Sequence, residues 1–182
     1  MGQRVVIPIL VALLPHFPVN ADDSAMYEAV AQYVGVPTNL LYAMALTESG
    51  LYKEGRTTPW PWTLNIEGEA HRYESREAMF DGLMGALQAG RIRVDIGPMQ
   101  VNWYWQYDKL SSPWTITDPT DNLKTGAAIL RAHYEETGDW WEAVGRYHRP
   151  SQEPQHKAAA LAYAGRVKKA MRTPDVEAQN DE

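Results

Sequence analysis

Residues 37–50 read PTNLLYAMALTESG. Pro37 suits the first turn of a helix, where a missing N–H costs nothing, and Gly50 marks the end. Leu41, Met44, Ala45 and Glu48 stand at i, i+3, i+4 and i+7, and seven steps of roughly 100° return Glu48 to the apolar side. A carboxylate there is costly. Desolvation disfavours its charged form, and the partial negative charge at a helix C-terminus adds to the effect, so both raise its pKa. A raised carboxyl is what a general acid needs near neutral pH. The alternative is a Glu that reaches into solvent from a frayed helix end, and periodicity alone leaves both open.

The flanking segments are also mostly helical. Residues 24–34, SAMYEAVAQYV, follow a capping Asp23 or Ser24 and stop at Gly35. Ser75 caps a helix to about Gln88, with Met79, Leu83, Met84 and Leu87 on one side. Asp118 to Asn122 introduces a helix through about Tyr134. Asp139 with Glu142 forms an acidic capping pair for WWEAVGRY, and a last helix covers about 155–171. Between the second and third helices lies a Pro- and Trp-rich stretch in which 63–66 and 70–73 pair as a hairpin across Glu67-Gly68. Ile92 to Ile96 alternates as a short extended piece, and GPMQVNW starts another helix near Val101. The expected fold is mainly α with at most a small β-hairpin.

Of 182 residues, 45% are hydrophobic and 22% charged, which is ordinary globular usage and excludes a disordered or collagenous chain. The net charge of −6 has the wrong sign for binding a phosphate backbone, so no nucleic-acid partner is expected. Cysteine is absent, which removes disulfides, zinc-thiolate sites and Cys nucleophiles. The five histidines, His16, His71, His133, His148 and His156, form no metal-ligand spacing, so no metal and no cofactor is expected. Arg4, the apolar run 5–14 and Val19-Asn20-Ala21 read as a signal peptide, 1–21, cleaved after Ala21. The apolar run is about half the roughly 20 residues that a membrane span requires. The remaining chain divides into a domain, 22–172, and an acidic, flexible tail, 173–182. Export without cysteine fits a periplasmic location.

Two further motifs carry polar groups. Gly97-Pro98-Met99-Gln100-Val101-Asn102 sets two amides where glycine lets a backbone approach a ligand, and AVGRYH holds Tyr147 near a helix end. ALTESG, GPMQVN and AVGRYH, followed by an alanine-rich helix with Tyr163, together resemble the catalytic domain of soluble lytic transglycosylases, the SLT domains, over about 26–172. These lysozyme-like enzymes, of the goose-type and SLT kind, cleave peptidoglycan between N-acetylmuramic acid and N-acetylglucosamine. PWPWTLN and GDWWEAVGRYH are similar to the branch associated with conjugative elements and type IV secretion or pilus systems.

The resemblance implies that Glu48 is the single acid/base, beside Ser49. Ser49, Met99, Gln100, Asn102, Tyr147 and Trp62 would line the glycan site. Glu48 would protonate the departing oxygen and then take the proton of the muramic O6 hydroxyl, leaving a 1,6-anhydro end. Peptidoglycan strands are the implied substrate, and secretion or conjugation proteins the implied partners. Pro98 departs from the Leu that many relatives carry, and Arg146-Tyr147-His148 departs from the usual sequence around that tyrosine, so His148 inherits no role.

Asp95 is the nearest motif-linked candidate for the second carboxylate that glycosidases usually pair with the first, and its alternative is a hydrogen-bonded group fixing the turn before Gly97. Trp60, Trp62, Trp103 and Trp105 are candidate sugar-stacking walls. Trp114, Trp140 and Trp141 are expected in the core. The competing readings are a hydrolytic muramidase of the same fold and a non-catalytic peptidoglycan-binding assembly module.

Overall fold

The computed structural model describes residues 23–53, 55–151 and 153–172. The expected signal peptide and acidic tail lie outside them. In chain order the elements are α1 (Asp23–Val34), α2 (Thr38–Ser49), β1 (Gly50–Lys53), β2 (Arg56–Pro59), β3 (Thr63–Ile66), β4 (Glu69–Arg72) and α3 (Arg76–Gln88). Then come β5 (Val94–Ile96), β6 (Val101–Asn102), α4 (Trp103–Gln106), α5 (Pro113–Ile116), α6 (Pro119–Thr137), α7 (Trp140–His148) and α8 (Pro154–Ala170). The architecture is mainly α, with two small antiparallel sheets.

Helix α2 is the hub. Leu40, Leu41, Tyr42, Ala43, Met44 and Ala45 are all buried, so this helix is apolar around its circumference rather than along one stripe. It packs on α1, α8 and β2, while α6 packs on α1 and α7. Among the described residues no helix is long and apolar enough to cross a membrane.

The expected hairpin is present as β3–β4, turned by Glu67 (φ 54°) and Gly68 (φ 98°), two consecutive left-handed residues as a type I′ turn demands. The sheet extends beyond it in the order β4-β3-β5-β6. β1 and β2 form a separate pair. That pair and the one-turn helix α5 have no counterpart in the sequence reading, because four-residue elements carry too little periodicity to register.

The helix expected near Val101 starts two residues later. Val101 and Asn102 pair with Ile96 and Asp95, so the sheet ladder takes their backbone first. Asn102 then becomes the N-cap of α4 without a capping side-chain bond, because its side chain is engaged elsewhere.

Trp114 also departs from expectation. It is 40% exposed, with Arg76 stacked on it at 4.0 Å and Phe80 against its edge at 5.0 Å. The Arg76 guanidinium donates to Asp118 Oδ2 (3.0 Å), the Trp114 carbonyl (2.8 Å) and Thr117 Oγ1 (3.1 Å). Asp118 Oδ1 caps α6 by accepting from the Thr120 and Asp121 amides. Asp118→Ala therefore removes a cap and leaves a half-buried arginine unpaired. We expect a loss of about 2 kcal/mol, read as a lower urea midpoint with an unchanged slope.

Candidate active site

Glu48 sits in the last turn of α2, and its position is fixed by its neighbour. Ser49 is fully buried, with Oγ 2.9 Å from the Ala45 carbonyl and 3.0 Å from that of Pro98. This contact ties the end of α2 to the turn between β5 and β6. Gly97 enters that turn at φ 73°, and a Cβ there would come within 2.5 Å of the Asn122 side chain, so glycine is required twice over. Gln100 leaves it at φ 46°, a strained conformation for a non-glycine residue. Its side chain donates back to the Gly97 carbonyl at 2.9 Å and so holds the bend.

From the other side, Tyr147 donates its hydroxyl to the Met99 carbonyl at 2.8 Å. The turn is thus held at Pro98 by α2 and at Met99 by α7. Met99 and Ser49 are completely buried and offer no side-chain surface to a ligand, which corrects their expected substrate-binding role. Their carbonyl and hydroxyl groups build the site instead.

The sheet contributes a polar row. Asn65 on β3, Asp95 on β5 and Asn102 on β6 are register partners and therefore share one face, while Leu64, Ile96 and Val101 form the adjacent row that enters the core. Asn102 Nδ2 donates to Asp95 Oδ1 at 2.7 Å, and Asn102 Oδ1 has no partner among the described residues.

Part of Glu48 remains open to solvent, but the packing around its carboxyl desolvates it and pushes its pKa up to about 7. The negative charge of Asp95 adds to the rise, while the Tyr163 hydroxyl and the Arg166 guanidinium oppose it. Tyr163 comes from α8 and is buried, with its hydroxyl beside the Glu48 carboxyl but meeting no acceptor at full hydrogen-bond geometry. Burial and the nearby Glu48 charge hold both Tyr147 and Tyr163 well above the usual phenol range, so both remain proton donors. His148 stacks on Tyr163 with ring centroids 4.6 Å apart. Burial and the charges of Arg149 and Arg166 lower its pKa, favouring neutral imidazole.

A desolvated carboxyl that keeps its proton near neutrality, with a phenol hydroxyl beside it and the charge of Asp95 acting on it, is equipped for proton transfer at a polar substrate. The model of the transglycosylase SLT domain matches residues 25–170. The chain belongs to this family. No curated protein and no solved structure matches it. The SLT domain is lysozyme-like, which agrees with the observed helical architecture, and its members act on peptidoglycan.

Among the described residues of this SLT domain no group of three or more His, Asp or Glu is placed to hold a metal ion. Trp62 is half-buried, edge-on to Trp60 at 5.7 Å, whereas Trp105 is 69% exposed with Tyr104 against it at 4.7 Å. Trp103, Trp140 and Trp141 pack against the core.

The sequence reading gave Tyr163 no part in the site, nor Arg149 or Arg166. For Tyr163 a signal existed: it is a phenol in an otherwise alanine-rich helix, spaced with Ala164 and Val167 on the buried side. Since its hydroxyl lowers the Glu48 pKa, Tyr163→Phe is expected to raise it. The alkaline limb of the kcat/KM profile on peptidoglycan should then move to higher pH.

Proposed function

We propose that this SLT domain is a peptidoglycan lytic transglycosylase in which Glu48 acts twice. Protonated, it gives its proton to the departing glycosidic oxygen. As the carboxylate, it takes the proton of the muramic O6 hydroxyl, which closes on the anomeric carbon and leaves a 1,6-anhydro end. No water is consumed. Gln100, Asn102 and Tyr147 orient the sugar and the acid, and Trp62 supplies an aromatic wall.

What supports this reading is the Glu48 carboxyl at the end of α2, desolvated so that its pKa rises to about 7, with the Tyr163 hydroxyl beside it. A module that only bound glycan would have no use for so costly a group. The N-terminal sequence supports export to the periplasm, and the PWPWTLN and GDWWEAVGRYH segments support a role in opening the wall for a secretion or conjugation apparatus.

Mass spectrometry of sacculi digested by the purified protein tests the reaction. Anhydro-muramic ends are expected. Ends about 18 Da heavier, carrying an added water, would replace this reading by a hydrolytic muramidase.

A further inference from the structure

The Tyr163 hydroxyl is buried and meets no acceptor at full hydrogen-bond geometry among the described residues, so no bond of its own fixes it beside Glu48. Its place there depends on what packs against the phenol ring. His148 covers one face, with ring planes 10° apart and centroids 4.6 Å apart. The Arg166 guanidinium, one turn further along α8, stands 5.3 Å from the ring centroid. We propose that His148 is a positioning residue for the reaction, a flat backing that holds the Tyr163 ring so that its hydroxyl stays at the Glu48 carboxyl.

Helix packing sets this stack up. Gly145 lies one turn before His148 on α7, and a Cβ there would stand 3.3 Å from the Ala160 Cβ and 3.4 Å from the Ala160 carbonyl oxygen, so its absence lets α7 lie close on α8. Ala160 in turn lies one turn before Tyr163. Tyr147 and His148 then divide the end of α7 between two tasks. Tyr147 reaches the Met99 carbonyl at 2.8 Å, and His148 faces α8.

The groups facing His148 are Tyr163 and Arg166 from α8 and Arg149, which follows α7. Burial and the two arginine charges favour the neutral imidazole, so the ring acts as a plate and not as a cation. This inference rests on the acid role proposed for Glu48. Once Glu48 has given its proton away, its carboxylate meets a donor already in place, and no reorganisation is required to stabilise it. A phenol free to swing loses that advantage, since a misplacement of about 1 Å in such a group costs up to about 10²-fold in rate.

His148→Ala removes the plate, and His148→Phe keeps it without the ring nitrogens. Two measurements separate positioning from a merely structural role: cleavage of purified sacculi, and titration of the Glu48 carboxyl by carbon-13 NMR, its signal assigned by its loss in Glu48→Gln. In His148→Ala, kcat should fall about tenfold with KM within about threefold of wild type. The Glu48 midpoint should move up, as in Tyr163→Phe, because the hydroxyl that favours its anion is no longer held there. His148→Phe should restore both. In a Tyr163→Phe background, His148→Ala should change neither further, since the hydroxyl it positions is already gone.

Additive effects of the two substitutions would overturn the proposal. So would a Glu48 midpoint that stays put or moves down in His148→Ala, the latter being what water admitted to the carboxyl produces, or a loss that His148→Phe fails to relieve. If His148→Ala does not fold by circular dichroism, His148→Leu takes its place, keeping the bulk and losing the flat face, and the same outcomes decide. Cleavage absent in wild type, or undiminished in Glu48→Gln, overturns the transglycosylase reading itself. An unmoved midpoint in His148→Ala beside normal wild-type cleavage overturns only the role of His148.

Discussion

Glu48→Gln is expected to reduce peptidoglycan cleavage by about 10³-fold or more while making the protein more stable at neutral pH. The amide has nearly the same shape as the carboxylic acid but can neither donate an acidic proton to the glycosidic oxygen nor receive one from O6, so both halves of the reaction fail. Release of soluble anhydro-muropeptides, followed by chromatography, reads the first effect. Residual activity near wild type would sink the assignment of Glu48.

The stability effect follows from linkage. Folded Glu48 has a pKa of about 7 against an ordinary value of 4.5, so the folded chain binds the proton more tightly than the unfolded chain. The contribution is fully present below the unfolded value and is lost as pH rises through about 7. Above that, the fold carries a buried negative charge that costs on the order of 2 kcal/mol. Glutamine carries no charge. The two proteins should therefore have similar denaturation midpoints near pH 4, with the variant progressively ahead between pH 5 and 8. Equal midpoints throughout that range would mean that the carboxyl is well hydrated, which would remove the basis for its acid role. The same titration predicts that activity declines above about pH 7 as Glu48 loses the proton it must donate.

The largest structural effect is expected at Asn122, in the first turn of α6. It is fully buried and joins three backbone groups to α6, one at the end of β5, one in the β5–β6 turn and one at the end of α5. Its Nδ2 donates to the Ile96 carbonyl at 2.7 Å and to that of Ile116 at 3.2 Å, while its Oδ1 accepts from the Met99 amide at 3.0 Å. Asn122→Leu keeps the approximate volume and strands three buried backbone groups at once. With about 1–3 kcal/mol for each unsatisfied group and partial relaxation, a loss of about 4 kcal/mol is expected. Urea unfolding measures it.

Activity should fall with it even under conditions where the protein remains folded, because the turn carrying Gln100 loses its anchor at Met99. Aspartate at this position makes a useful contrast. Asn122→Asp keeps the acceptor for the Met99 amide but brings a buried charge and loses both donors, so it should be no better than Leu. A variant of either kind with wild-type stability would show that the turn is held mainly by Ser49 and Tyr147.

Where the ordering signal lies within a few consecutive residues, the amino-acid sequence was sufficient. Ser75 accepts from the Ala78 amide and opens α3, and Asp139 accepts from the Trp141 and Glu142 amides and opens α7. Glu67-Gly68 turns the β3–β4 hairpin. Each is a bond or a backbone preference completed inside one turn of chain, so it survives in any tertiary setting. The placement of Glu48 in the last turn of α2 was legible for the same reason, but not the direction its carboxyl takes.

What surrounds that carboxyl was settled only by the tertiary structure. The bond from Ser49 to Pro98 spans 49 residues and that from Tyr147 to Met99 spans 48. Asp95, Tyr163 and Arg166 reach Glu48 from elements that share no local pattern with α2. Whether Glu48 pointed into solvent or into a desolvated pocket could not follow from helical periodicity, since both fit the same spacing. Periodicity records which face of a helix a residue occupies, whereas the surroundings and pKa of its side chain depend on the groups that other parts of the chain bring against it.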